Sequence, residues 1–364
     1  MRKSKIIGTG MAVPLCVADN QLLARCMDTS DDWIVQRTGI KERRVSPDTY
    51  RMLCRLAEAD DKEAFLRELY DRGLDGNIDS SLMVADLAFE ASKMALENAG
   101  VPIHSIDLII DSTTVPDYAY PHTGCVLQGR FGLTSTPALN LQQGCAGFVY
   151  ALAVGDQMIR TGMYNRVLVV GAELLSSFMD FSTRGRDMAV LFADGAGAVV
   201  LQSVPQESRS GIIAHHLHTN GSILQKLYGE IYGSSTFPPI SKKKIDDGRA
   251  RPRMEGRTVF VQAVNSVKEV IVECLEKNSI TIDDVDLFIF HQANLRIIDA
   301  IAGSLKIPPE KSFNNLWKYG NTSAASVPMC LHEALMAGRV KEGDLLVLVA
   351  FGTGFSWGAS LLRW

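Results

Sequence analysis

One local pattern occurs twice along this chain, and it restricts the fold more than any other feature. A long run with apolar residues at helical spacing is followed by a short apolar strand that ends in polar residues. The first copy is SLMVADLAFEASKMALENAG (81–100), which begins near Ser80 or Ser81 and stops at Gly100 before Val101 and Pro102, then IDLIIDSTT (106–114). The second is TVFVQAVNSVKEVIVECLEKNSI (258–280), then VDLFIFHQ (285–292). A third pair, DGAGAVVLQ (194–202) and GTGFSWGASLLR (352–363), keeps a similar offset of about 160 residues, far too long for a solenoid repeat. PALNLQQ (137–143) and NRVLVVGAE (165–173) add strands rich in Val and Leu, as strands covered on both faces require. The expectation is an α/β layered architecture made of two related halves, near 1–205 and 206–364.

Two segments depart from this grammar. The stretch 44–80 is charged and helix-forming and reads as a helical insertion, near 46–80, in the first half. The stretch 241–257 carries Lys242, Lys243, Lys244, Arg249, Arg251, Arg253 and Arg257 against Asp246, Asp247 and Glu255. It is either a solvated loop or an anion-docking surface. The whole chain has a formal charge of −4, so no general basic field draws nucleic acid. No apolar run is long enough to span a bilayer, and the start MRKSKIIGTGMAVP does not read as a secretory signal, so a cytoplasmic protein with no membrane partner is expected. The seven cysteines are scattered without a CxxC pair, which argues against a disulfide framework and against zinc.

Three residues stand where chemistry could be done. Cys145 lies in NLQQGCAGFVYALAVGDQMIRTG, between a strand and a helix and among Gly144, Ala146 and Gly147. A thiol there should have its pKa lowered by the helix N-terminus, although a small buried cysteine is the plain alternative. His291 ends the strand VDLFIF, at the carboxyl edge where open α/β sheets gather their sites; a hydrogen-bonded structural histidine would sit there equally well. Asn321, in YGNTSAASVPMCL, precedes a run in which Thr322 or Ser323 could cap a helix. Its amide could stabilise a developing oxyanion, or it could be only a turn residue. FGTGFSWG (351–358) offers a Gly-rich turn whose backbone N–H groups can come close to a ligand. No carboxylate is evident in this set. The cluster His215, His216 and His218 is weak as a metal motif and fits a surface strand.

Taken together, DTSDDWIVQRTGIKERR (28–44), GCAGFVYAL (144–152), FADGAGAVVL (192–201), HQANLRII (291–298), GNTSAASVP (320–328) and FGTGFSWGASLLR (351–363) resemble the 3-oxoacyl-[acyl-carrier-protein] synthase III family of condensing enzymes, in that family's order. The resemblance implies a thiolase-like five-layered αβαβα fold from two duplicated halves, usually a homodimer. It implies that Cys145 is the acylated nucleophile and that His291 and Asn321 bind the malonyl thioester carbonyl. The oxyanion hole would be the backbone N–H groups of Cys145 and Thr353. Coenzyme A would meet Trp33, Arg37, Arg186 (or the neighbouring Arg184) and Asn294, and the acyl carrier protein would dock on Arg296 and Arg257. Tyr120 and Phe260 would shape the acyl pocket, Tyr120 from across the dimer. No cofactor is implied, since the coenzyme A thioester and the malonyl carrier protein are substrates.

The reaction so implied is ping-pong: an acyl-CoA acylates Cys145, and the carbanion left by decarboxylation of malonyl carrier protein attacks that thioester, initiating fatty acid synthesis. Thiolases need a second cysteine where GTGFSWG has none, and elongating synthases have a histidine where this chain has Asn321. A condensation or acyl transfer of polyketide-type metabolism uses the same three residue types and stays open. A noncatalytic scaffold subunit would not need Cys145, His291 and Asn321, and a cysteine hydrolase would not need Trp33 and Arg37.

Overall fold

The computed structural model describes residues 2–75, 80–230, 233–235, 237–238 and 241–364. A five-stranded sheet is ordered Arg2–Ala12, Asp194–Pro205, Arg166–Leu174, Leu108–Ser112, Ala138–Asn140. A four-stranded sheet is ordered Gly211–Thr219, Ser356–Arg363, Leu345–Gly352, Leu287–Phe290. The paired segments of the sequence therefore take the same places: Leu108–Ser112 corresponds to Leu287–Phe290, and Asp194–Pro205 to Ser356–Arg363. In both sheets that first strand runs parallel to its neighbour, and the second is antiparallel to the same neighbour.

Helices Gly147–Arg160 and Ser326–Met336 lie between the sheets and are buried along most of their length. Helix Val84–Ala99 covers the outer face of the first sheet, and helices Gly256–Lys277 and Leu295–Leu305 cover that of the second. This is the αβαβα layering. Strand side chains alternate between faces, so Val167 and Val169 join the central core while Leu168 and Val170 join the outer one. The same division separates Leu346 and Leu348 from Val347 and Val349 in the second sheet.

Helix Val84–Ala99 starts three residues later than its sequence suggests. Asp86 accepts the Met83 N–H at 2.6 Å and Asp117 accepts the Val84 N–H at 2.6 Å, so the N-terminus is capped by carboxylates, one of them distant in sequence, and Ser80 and Ser81 lie outside it. Gly100 closes it in the left-handed conformation. The charged insertion is helical, Pro47–Glu58 and Lys62–Asp75, and anchors Leu53, Leu56 and Leu66 in the outer core; its stretch 76–79 lies outside the described residues. Much of the basic stretch pairs locally. Lys243 meets Asp247 at 3.0 Å, Arg249 meets Glu230 at 2.6 Å, and Lys244 is buried on the Glu230 carbonyl. The stretch is thus partly helical, with Lys244 buried and Lys243 and Arg249 paired, while exposed Arg257 stands apart at the rim of a cavity described below.

Candidate active site

Cys145 sits in a single turn of 3-10 helix, Gly144–Ala146, that leads into the central helix Gly147–Arg160. Gly144 has φ +54, and a Cβ there would lie 2.2 Å from the Thr353 Oγ1. A Cβ on Gly352 would lie 2.6 Å from the Cys145 backbone nitrogen. Both glycines are required by the same close approach, which sets the Gly-rich turn 352–354 of the second sheet against the nucleophile turn of the first. The backbone N–H groups of Cys145 and Thr353 are thereby brought to one place.

The thiol is not activated by its helix in the way the sequence suggests. Burial pushes Cys145 up to about 12, and the hydrogen bond from Ser323 and its own backbone N–H pull it down by less. At this enclosed position desolvation of a thiolate outweighs the field of a helix N-terminus. Proton removal from Cys145 therefore needs a partner.

His291 follows strand Leu287–Phe290 and is 2% exposed. Burial pulls it down to about 3, so it is neutral at ordinary pH. Its Nδ1 lies 2.6 Å from Ser326 Oγ, which also accepts the Gln292 N–H at 3.3 Å. A Ser326 hydroxyl that donates to Nδ1 leaves the imidazole proton on Nε2, where it can be donated to a carbonyl oxygen. Phe351 packs edge-on against the ring at 5.3 Å and fixes its plane.

Asn321 is held through its backbone, with its N–H on Leu191 O and its O accepting the Ala193 N–H, both at 2.9 Å. Its Oδ1 accepts the Ser323 N–H at 2.9 Å, which leaves Nδ2 as the donor toward the cavity. Thr322 takes the N-cap position of a single 3-10 turn, Ser323–Ala325, but its side chain makes no capping bond. The α-helix begins at Ser326, the Thr322 hydroxyl turns to Met329 Sδ, and Ser323 adopts φ +48. A non-glycine residue in that region is worth attention, and here it lies beside the nucleophile.

Cys145 borders two cavities. One, of about 640 Å³, is lined also by Trp33, Arg37, His291, Asn294 and Asn321 and opens to the surface past Arg257 and Arg296. The other, of about 480 Å³, lies on the far side of the thiol among Leu175, Phe178, Met179, Met188 and Leu224. At the mouth of the first, Arg37 and Arg186 sit over the Trp33 ring, at 4.5 and 4.9 Å from its centroid. Arg184, the alternative to Arg186, instead pairs with Asp180 at 2.9 Å and turns toward the insertion. Asn294 lines the passage, but its own polar atoms serve the fold: it donates to Arg37 O at 3.0 Å and caps helix Leu295–Leu305.

One acyl-pocket assignment changes. Phe260 lines the outer passage, under the Arg296 guanidinium at 5.8 Å, because the first turns of helix Gly256–Lys277 form that wall. Tyr120 is 88% exposed and lines neither cavity of its own chain. The histidine cluster lies on strand Gly211–Thr219 and is tied up structurally: His215 to Ser360 at 2.8 Å, His218 to Glu273 at 2.5 Å.

One residue near the nucleophile escaped the sequence reading altogether. Glu173, fully buried at the end of strand Arg166–Leu174, accepts hydrogen bonds from Thr114 N at 3.0 Å and Thr114 Oγ1 at 2.8 Å, and burial raises it to about 7. Its signal was a lone acid closing the apolar run RVLVVGAE.

A five-layered fold with cysteine, imidazole and amide gathered between its sheets defines a condensing acyltransferase of the thiolase type. The comparisons agree. Residues 139–221 match the family described as 3-oxoacyl-[acyl-carrier-protein (ACP)] synthase III, and residues 275–364 match its C-terminal region. A beta-ketoacyl-[acyl-carrier-protein] synthase III from Alkalilimnicola ehrlichii is 41% identical over 366 aligned residues, covering 100% of both chains. The solved 3-oxoacyl-[acyl-carrier-protein] synthase III from Aquifex aeolicus superposes with a TM-score of 0.82 at 39% identity, covering 99% of this chain and 100% of that one. The priming beta-ketosynthase of the R1128 polyketide pathway gives a TM-score of 0.80 at 29% identity, over 99% of this chain and 96% of its own. The chain belongs to the 3-oxoacyl-[acyl-carrier-protein] synthase III family.

Proposed function

We propose that the chain joins an acyl-CoA starter to malonyl-acyl-carrier protein, releasing carbon dioxide and coenzyme A and leaving a 3-oxoacyl carrier protein that starts a fatty acid. The observation that carries this reading is that Cys145 borders two cavities at once. Substrate arms come in through one, and the acyl chain rests in the other. Trp33 with Arg37 and Arg186 forms an aromatic and cationic mouth suited to the adenine and phosphates of coenzyme A, and exposed Arg257 and Arg296 suit an acidic carrier protein.

In the first half-reaction Cys145 gives up its S–H proton to the buried polar groups beside it as the sulfur attacks the acyl carbonyl, whose oxyanion the N–H groups of Cys145 and Thr353 hold; coenzyme A leaves as its thiolate and takes a proton from solvent. In the second, His291 Nε2 and Asn321 Nδ2 donate to the malonyl thioester oxygen. Carbon dioxide departs, its bonding electrons become the enolate, and the enolate carbon attacks the Cys145 thioester and expels the cysteine sulfur, which takes back the proton it gave up. The site takes no proton from carbon, so it needs no strong carbon base. No cofactor enters.

A homodimer is part of this reading, supported by the exposure of Tyr120 and by strand Ala138–Asn140 lying at a sheet edge with Leu139 open to solvent. A cytoplasmic setting goes with seven cysteines that are all free. No helix among the described residues is long and apolar enough to cross a membrane. A polyketide-type role is the second reading, favoured by the likeness to a priming ketosynthase.

The test is intact-protein mass measurement after incubation with acyl-CoAs from acetyl to dodecanoyl. An adduct of one acyl group, absent in Cys145→Ala, is expected; an adduct that survives in the variant removes Cys145 from its role. Sedimentation of the same protein reports the dimer.

A further inference from the structure

Ser323 is the residue that links Cys145 to the rest of the buried polar groups. Ser323 lines the same cavity as Cys145 and Thr114, and its hydroxyl acts on the Cys145 thiol and on the Glu173 carboxyl, drawing the pKa of each downward. It reaches both because its backbone sits at φ +48, held by its N–H on Asn321 Oδ1 at 2.9 Å. The two oxygens of Glu173 are used unequally. Oε2 accepts from Thr113 Oγ1 at 3.2 Å and from both Thr114 donors, whereas Oε1 is sealed from solvent with no well-formed hydrogen bond among the described residues. A buried carboxylate normally uses both oxygens.

From this juxtaposition we infer that Glu173 is a positioning residue that holds the Cys145 proton, by way of the Ser323 hydroxyl, for as long as the cysteine is acylated. The inference rests on Cys145 being the acylated residue. As the sulfur attacks the acyl-CoA carbonyl, the S–H bond breaks, Ser323 Oγ takes that proton, and the hydroxyl's own proton passes to Glu173 Oε1. Coenzyme A leaves as a thiolate and is protonated from solvent. When the enolate later expels the cysteine sulfur, Glu173 returns its proton along the same path. One proton from solvent is consumed per turnover, which balances the loss of carbon dioxide from a carboxylate.

The surroundings suit this role. Among the described residues, Cys145 is the titratable group coupled by charge to Glu173, and the Thr113, Thr114 and Ser323 hydroxyls adjoin the carboxyl. Asp194, on the adjacent strand, is bound to Ser46 and Ser176, and Asp111, two strands from Asp194, to His122 and Asn140. Burial places Glu173 at about 7, which suits a group that must accept a proton and give it back near neutrality.

The experiment is the pH profile of iodoacetamide alkylation of Cys145, located by peptide mass spectrometry, between pH 5.5 and 9 in the full-length protein. The wild type should show an inflexion near pH 7. Glu173→Gln should lose that inflexion and react at least tenfold more slowly at pH 7.5. Ser323→Gly, which suits a positive φ and leaves the carboxylate in place, should do the same and carries the test if Glu173→Gln fails to fold. A wild-type profile in either folded variant overturns the inference. If acyl adducts are lost in Cys145→Ala while both profiles stay unchanged, the condensing role stands and the proton-holding role falls.

Discussion

The side-chain oxygen of Asn321 is occupied by the backbone N–H of Ser323, 2.9 Å away and two residues on. This bond decides which end of the amide faces substrate. A carboxylate in place of the amide would keep the acceptor and abolish the donor. Asn321→Asp should lower decarboxylation of malonyl carrier protein by about 10²- to 10³-fold, the usual loss for one oxyanion donor. Acylation of Cys145 should change only a few-fold, and equal losses in the two half-reactions would exclude the enolate role.

His291 is expected to mark the acid limb of stability. Its pKa in the fold, about 3, lies below its ordinary 6.5, so the unfolded chain binds the proton first as pH falls. The stability linked to this group is present above pH 6.5 and is lost on acidification toward pH 3, at up to about 1.4 kcal/mol per pH unit. Denaturant midpoints between pH 4.5 and 7.5 should fall more steeply for wild type than for His291→Gln. Parallel curves would mean that His291 is protonated in the fold.

Glu173 and pH are coupled with the opposite sign. The carboxyl is raised from 4.5 to about 7, so the folded state binds more protons between those values and the wild type loses stability as pH rises through them. Glu173→Gln carries no such penalty. Its melting temperature relative to wild type should therefore climb between pH 4.5 and 7 and level off above, a change worth roughly 3 kcal/mol at most. A difference that is flat in pH would place Glu173 in a far less desolvated environment.

The mouth of the passage separates binding from chemistry. Trp33→Ala removes the ring shared by Arg37 and Arg186 and should raise KM for acyl-CoA by about 5- to 10-fold, as loss of a cation–π contact predicts, with kcat nearly unchanged. A fall in kcat with constant KM would relocate the indole to the reacting centre.

Charge reversal at Arg257 and Arg296, at the outer end of the passage, bears chiefly on the carrier protein. The double change to Glu should weaken use of malonyl carrier protein by an order of magnitude or more at low salt and far less at high salt. The acyl-CoA half-reaction, read by adduct mass, should be spared by comparison. Loss of both together would assign these arginines to the passage itself.

The layered fold was legible because strands covered on both faces are written as unbroken apolar runs, and the repeat of helix and strand betrayed the duplication. Cys145, His291 and Asn321 were legible because each lies at the carboxyl end of a strand or in a turn with glycine neighbours. What was hidden depends on contacts between distant segments. Asp117, 33 residues away from Val84, sets where helix Val84–Ala99 begins. The raised thiol of Cys145 follows from burial, which local sequence does not report. The left-handed Ser323 and the half-used Glu173 become meaningful only when segments near 114, 145, 173 and 323 are seen to meet.

Gly352 has a wider meaning than room for a turn. Because even a methyl group there would drive into the Cys145 backbone nitrogen at 2.6 Å, the distance between the two sheets is gauged at the backbone of the nucleophile. A change that thickens the central layer presses on this seam, as it does where Gly171 meets the Ala324 carbonyl and Gly197 the Met329 nitrogen. Substitutions in the middle helices should thus be sorted by natural variation according to volume first and polarity second, and catalytic efficiency should register crowding of that layer earlier than melting does.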